Sequence, residues 1–174
     1  TWDTVRMALS LTSAQAYWET AGTYLNTASY GLPPRPAWDA LQSALDDWRT
    51  GRTSWEPWGD STEQARASFA RLISVDPSAV AVGATVSGLV GLVAASLPDG
   101  CTVLAPDVEF ASTLFPFLAQ ASRGVTVRMV PASELADAIN DSIDMVAFSA
   151  VQMATGEVAD LAAIAGAAQS HGAM

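Results

Sequence analysis

The chain has 174 residues, half of them hydrophobic, which is enough for one domain with a substantial core and short for two. Its 18 acidic residues against 8 basic ones give a net charge of -10, which disfavours contact with a nucleic-acid backbone or an anionic lipid surface. The longest apolar stretches, residues 89–97 and 161–168, are far shorter than a bilayer span, and no basic-then-apolar signal opens the chain, so a cytoplasmic protein is expected.

Residues 1–75 predict a helical segment. A short helix over 13–19 takes Ser13 as its N-cap, and an extended piece covers 23–26. Gly31-Leu-Pro-Pro-Arg-Pro forms a turn that launches an amphipathic helix over 36–49, and a second such helix covers 61–73. Between them, residues 50–59 form a tryptophan-bearing loop.

From Ser78 onward the pattern changes. Short β-rich runs at 79–82, 102–105, 126–130 and 145–149 alternate with helical spacing at 87–97, 112–122, 133–139 and 160–170. This alternation predicts an α/β fold of three layers, α/β/α, around a mainly parallel sheet, with residues 76–174 forming its first part. His171-Gly172 marks the stop of the last helix, and a further strand is expected where only Ala173 and Met174 remain. The chain thus reads as truncated, or completed by another chain.

Three loops follow strand candidates, at the strand ends where parallel sheets bind ligands. Gly83-Ala-Thr-Val-Ser-Gly88 opens a helix, so its backbone N–H groups and the Thr85 and Ser87 hydroxyls suit a phosphate, although a plain helix N-terminus explains the segment equally. It is neither a Walker loop nor a dinucleotide fingerprint. In Asp107-Val-Glu-Phe-Ala-Ser-Thr, Phe110 can stack on a planar ring or simply pack on the core. In Ser149-Ala-Val-Gln-Met-Ala-Thr-Gly156, Gln152 is a hydrogen-bonding candidate. Cys101, the sole cysteine, sits in an apolar run as a buried, inert thiol, and with His171 the sole histidine no metal site is expected. All 8 basic residues are arginines, so no lysine is present to form a Schiff base.

Taken in order, these segments resemble the class V aminotransferases of pyridoxal 5′-phosphate (PLP) fold type I, a family that includes cysteine desulfurases and isopenicillin N epimerase-like proteins. The resemblance runs from Tyr24-Leu-Asn-Thr-Ala-Ser-Tyr-Gly-Leu-Pro-Pro to Thr155-Gly156 and corresponds to the N-terminal half of such a protein, an incomplete PLP-dependent transferase-like large domain. It implies that Thr85, Val86 through its backbone N–H, and Ser87 hold the cofactor phosphate, that Phe110 covers the ring, and that Gln152 meets the pyridine 3′-oxygen. Phe110 stands where the family commonly has His, and it can stack but cannot exchange protons. Met153 stands where many members have Asn. The family's Schiff-base lysine and its aspartate for the pyridine nitrogen have no counterpart in these residues.

The implied activity is that of a PLP enzyme acting on an amino acid or amine, as a C–S lyase or desulfurase, an epimerase or an aminotransferase. This chain supplies no catalytic residue of its own and depends on a C-terminal portion or complementary chain, in a homodimer or heteromer. Asn26, Arg52 and Trp55, in the family's entrance region, are substrate-contact candidates; Arg and Trp are equally common interface anchors. Two other readings stand beside this one: a binding or assembly domain that kept the fold without the chemistry, and an unrelated phosphate-binding α/β enzyme.

Overall fold

A computed structural model describes residues 10–174, which fall into two compact units that meet between Val80 and Ala81 in the chain. In the first, helix α1 spans Leu11–Gln15 and is capped by Ser10, whose Oγ accepts the Ser13 N–H at 3.1 Å. The expected Ser13 cap is therefore displaced by three residues, because Ser13 supplies the N–H that is capped. Residues 23–26 pair with no strand among the described residues and lead into a turn over 27–29: the Asn26 carbonyl accepts the Ser29 and Tyr30 amides, and the Tyr24 hydroxyl donates to the Tyr30 carbonyl at 2.7 Å.

Helix α2 covers Arg35–Arg49. Its apolar residues Trp38, Leu41, Leu45 and Trp48 follow the three- and four-residue spacing of one helical stripe, yet none is buried. Helix α3, Glu56–Ile73, begins five residues before the expected start at 61. Pro57 in its first turn is pre-set for helical φ, and Glu56 suits the positive end of the helix dipole, so the tryptophan loop shortens and Trp58 becomes helical.

The run 79–82 is not a strand. Asp76 accepts both the N–H and the hydroxyl of Ser78, at 2.8 and 2.6 Å, and with Pro77 nucleates a 3-10 turn over Pro77–Ala79. Residues 81 and 82 have no strand partner among the described residues, and an extended run without a partner is no strand.

The second unit opens with helix α4, Val86–Ser96, followed by strand β1, Thr102–Pro106. Strands β2 (Thr126–Val130) and β3 (Met145–Val146) flank β1 in a parallel sheet of order β2-β1-β3, with Val103 level with Val127 on one side and Met145 on the other. Side chains alternate across a strand, so Val103 and Leu104, both 0% exposed, fill opposite faces. Val103 packs with Ala94, Leu97 and Phe117, bringing α4 and helix α5 (Ala111–Leu118) to one face. Leu104 packs with Leu135, Ile139, Ile143 and Ile164, the last from helix α6 (Leu161–His171) on the other. The expected three-layer α/β arrangement is therefore present.

Three elements are shorter than their sequence patterns. Residues 133–139 yield only a 3-10 turn, Ala132–Glu134, though Leu135 and Ile139 still reach the core. Helix α5 ends at Leu118 and a separate 3-10 turn, Ala121–Arg123, completes the run expected to 122. Strand β3 stops at Val146, with one further ladder bond from Ala147 N–H to the Leu104 carbonyl before the chain turns away. Gly172, at φ 69°, ends α6 as expected, and only a residue without a Cβ adopts that conformation freely. Beyond it, Met174 N–H donates to Asp144 and its carbonyl accepts from Val146, both at 2.9 Å, which is the bonding pattern of a parallel partner of β3.

Candidate functional site

The second unit gathers the three loops at one end of its sheet. Helix α4 returns to β1 through five residues, so the two run antiparallel. Eleven helical residues at about 1.5 Å and five strand residues at about 3.3 Å each span roughly 16 Å. The N-terminus of α4 is thus level with the carboxyl end of β1, where residues 107–110 and the loop after β3 also emerge.

At that helix start Thr85 is the N-cap, its Oγ1 accepting the Gly88 N–H at 3.1 Å. The Val86 and Ser87 N–H groups have no acceptor among the described residues. Two unpaired donors at the positive end of a helix suit an anion. Gly83 packs against α4: a Cβ there would stand 2.6 Å from Leu89 Cδ2, so a larger residue would displace the Leu89 side chain.

Phe110 is the N-cap residue of α5, four positions past the end of β1, and is 48% exposed, so its ring is not spent on the core. Gln152 is 5% exposed. Its Nε2 donates to Glu109 at 3.1 Å, while its Oε1 has no donor among the described residues.

The residue that binds these loops together is Glu109, which the sequence reading left without a role. It is 8% exposed, and its carboxylate accepts the Phe110 N–H at 2.9 Å, the Ser149 N–H at 2.7 Å, the Ser149 hydroxyl at 2.6 Å and the Gln152 amide. Burial raises its pKa, but the hydrogen bonds from Ser149, Gln152 and the Phe110 and Ser149 amides outweigh burial and hold the carboxyl below the ordinary glutamate value. The available signal was a lone acid between a strand end and a helix start, with donors Ser149 and Gln152 at the corresponding end of the next strand.

Cys101 is 7% exposed, and burial, then the nearby Asp144, push its thiol up, away from a reactive thiolate. Among the described residues no cluster of three His, Cys, Asp or Glu side chains could hold a metal, and no helix is long and apolar enough to cross a membrane.

Asn26, Arg52 and Trp55 belong to the first unit. The Asn26 carbonyl anchors the turn after Tyr24. Arg52 lines a cleft of about 340 Å³ between α2 and α3 together with Ser54 and Trp58, and pairs with Asp47 at 3.3 Å. Trp55 caps α3 and is 75% exposed.

No family model matches the chain. It is 27% identical over 166 residues to a probable cysteine desulfurase of Methanothermobacter thermautotrophicus, and 29% identical over 161 residues to an uncharacterized aminotransferase of Bacillus subtilis. Each match takes in 87% of this chain, which spans only 42% and 43% of those relatives' lengths. Among solved structures, the cysteine desulfurase CsdA of Escherichia coli aligns with a TM-score of 0.70 at 20% identity, over 87% of this chain and 43% of that one. A variant of C-DES with glycine covalently linked to its PLP cofactor aligns equally well, at 0.70 and 24% identity, over 87% of this chain and 44% of its own. The apo cysteine desulfurase of Thermococcus onnurineus reaches 0.68 at 20% identity, over 86% of this chain and 41% of that one. The three-layer fold is thus shared with these solved structures, and over most of its length the chain is similar to a probable cysteine desulfurase and an aminotransferase, of which it spans less than half.

Proposed function

We propose that this chain is the phosphate- and ring-binding part of a PLP-dependent enzyme acting on an amino acid or amine, of the C–S lyase or desulfurase, epimerase or aminotransferase type. The observation that carries this reading is the α4 N-terminus, where the Val86 and Ser87 N–H groups lack acceptors beside the Thr85 and Ser87 hydroxyls. An exposed Phe110 at the same end of the sheet supplies a face for a pyridine ring. The residues present therefore fit the cofactor's non-covalent contacts. When bound, PLP supplies an electron sink for reactions at the α-carbon of an amine substrate.

In this reading Thr85, Val86 and Ser87 bind the phosphate, Phe110 covers the ring and Gln152 meets the 3-oxygen. Asn26, Arg52 and Trp55 contact the substrate. With no lysine in its 174 residues, the chain depends on a C-terminal portion or complementary chain for the Schiff-base amine, within a homodimer or heteromer. The same absence favours one other reading, a fold kept for binding or assembly without chemistry. Replacing Thr85 and Ser87 together by Ala tests the assignment: PLP affinity should fall several-fold or more, at roughly 0.5–1.5 kcal/mol per hydrogen bond. Unchanged affinity in that variant would remove the phosphate site.

A further inference from the structure

The first unit holds a cleft of about 630 Å³ between the segment that follows α1 and the start of α2, a size that suits a small ligand. Its walls are fixed by bonds between residues far apart in sequence. The Arg35 N–H donates to the Tyr17 carbonyl at 2.7 Å, and the Trp18 indole N–H donates to the Leu32 carbonyl at 2.9 Å. Trp18 in turn braces Tyr17 edge-to-face, with ring centroids 6.4 Å apart and planes at 77°. Tyr17 and, from α2, Trp38 line the cleft, and at 40% and 51% exposure neither ring is spent on the core. Three charged side chains share the lining: Arg35 and Glu19, which pair with each other, and Asp39, which no cation partners among the described residues. Two acids against one arginine leave the cleft a net negative charge, and the unmatched carboxylate is on the residue next to Trp38.

We propose that this cleft binds a small organic ammonium ion, its charge set against the Tyr17 and Trp38 rings and countered by Asp39. Aromatic rings attract cations through the negative potential over their faces, and alkylated ammonium ions are the guests that such ring-lined sites take. An anion would meet the unmatched Asp39, because the Arg35 that could receive it is already engaged by Glu19. A neutral apolar guest would gain from the rings and nothing from the carboxylate. The site goes beyond the PLP reading and uses none of its residues, so the two stand or fall separately.

The test is a titration of the full chain with choline, followed by the methyl signal of the probe in NMR and repeated with dimethylbutanol, its uncharged carbon isostere. Choline should bind saturably and about fivefold tighter than the isostere, the scale of one exposed cation–π contact, and added salt should weaken choline alone. Trp38→Leu should lower choline affinity about threefold or more. Asp39→Asn should lower it by about threefold and leave the isostere unchanged. Equal affinities for the two probes would show an apolar cleft with no preference for charge, and overturn the proposal. So would choline affinity left unchanged by either substitution, or no saturable binding of choline at all. Should Trp38→Leu not fold, Asp39→Asn decides, because Asp39 contributes its charge from an exposed position on α2. Loss of choline binding in these variants with PLP affinity intact is the outcome that separates this site from the cofactor cradle.

Discussion

A carboxylate buried without a cation depends on hydrogen bonds alone, and that makes Glu109 sensitive to acid. Its folded-state pKa lies below the ordinary value, so its contribution to stability is fully present above about pH 4.3 and is lost as pH falls through the folded value. Glu109→Gln should therefore lower stability at neutral pH and flatten the acid limb of the curve. Denaturant melts of both chains across that range check this, and parallel acid limbs would show that Glu109 does not carry the dependence. Thr85 was legible in the sequence only as a hydroxyl at a helix start, offered to a phosphate; that it is itself the N-cap of α4 is visible in the fold. Glu109 was not, because its role depends on donors 40 residues away that only the parallel pairing of β1 and β3 brings within reach.

Among the elements, α4 is held at both ends by features that a single substitution can test. At its start, Gly83→Ala would drive a methyl to within 2.6 Å of Leu89 Cδ2 and 2.8 Å of its Cγ, which a rotation of the terminal methyls alone cannot relieve. Calorimetry should show a loss of about 1–3 kcal/mol, with part of it recovered when Leu89→Ala is added. At its end, Arg123 donates to the Ala95 and Leu97 carbonyls and pairs with Asp99 at 2.8 Å, placing a cation at the negative pole of the helix. Arg123→Ala should destabilise by about 1–2 kcal/mol, and Arg123→Lys should recover little of it, because a single ammonium cannot span the same acceptors. An unchanged melting temperature in Arg123→Ala would show the clamp to be incidental. Helix α2, with its apolar stripe behind a proline turn, and the apolar helices α4 and α6 between turn residues were legible from sequence to within a residue or two. Residues 79–82 were not: their composition is strand-like, but a strand exists only through its neighbour, and here Asp76 and Pro77 win the local competition with a 3-10 turn.

For the whole molecule, the α/β layering followed from the alternation of short apolar runs with helical spacing, and Val103 and Leu104 show why it works: a central strand buried on both faces needs helices on each. What the sequence could not reveal is how much apolar surface stays uncovered. The stripe of Trp38, Leu41, Leu45 and Trp48 on α2 is exposed, and Met174 already pairs with Asp144 and Val146 in the manner of a further parallel strand. Surfaces of both kinds promote association. Light scattering of the purified chain should therefore show self-association that Leu41→Glu and Leu45→Glu reduce; a monodisperse monomer unaffected by them would contradict this. The central claim is that this fold retains a PLP cradle whose strongest handle is the phosphate. Calorimetric titration of the chain with PLP and, separately, with pyridoxal tests it most directly. Saturable one-to-one binding of PLP, at least about tenfold tighter than that of pyridoxal as the loss of several charge-assisted hydrogen bonds requires, is the predicted result; equal affinities, or no binding of either, would contradict it.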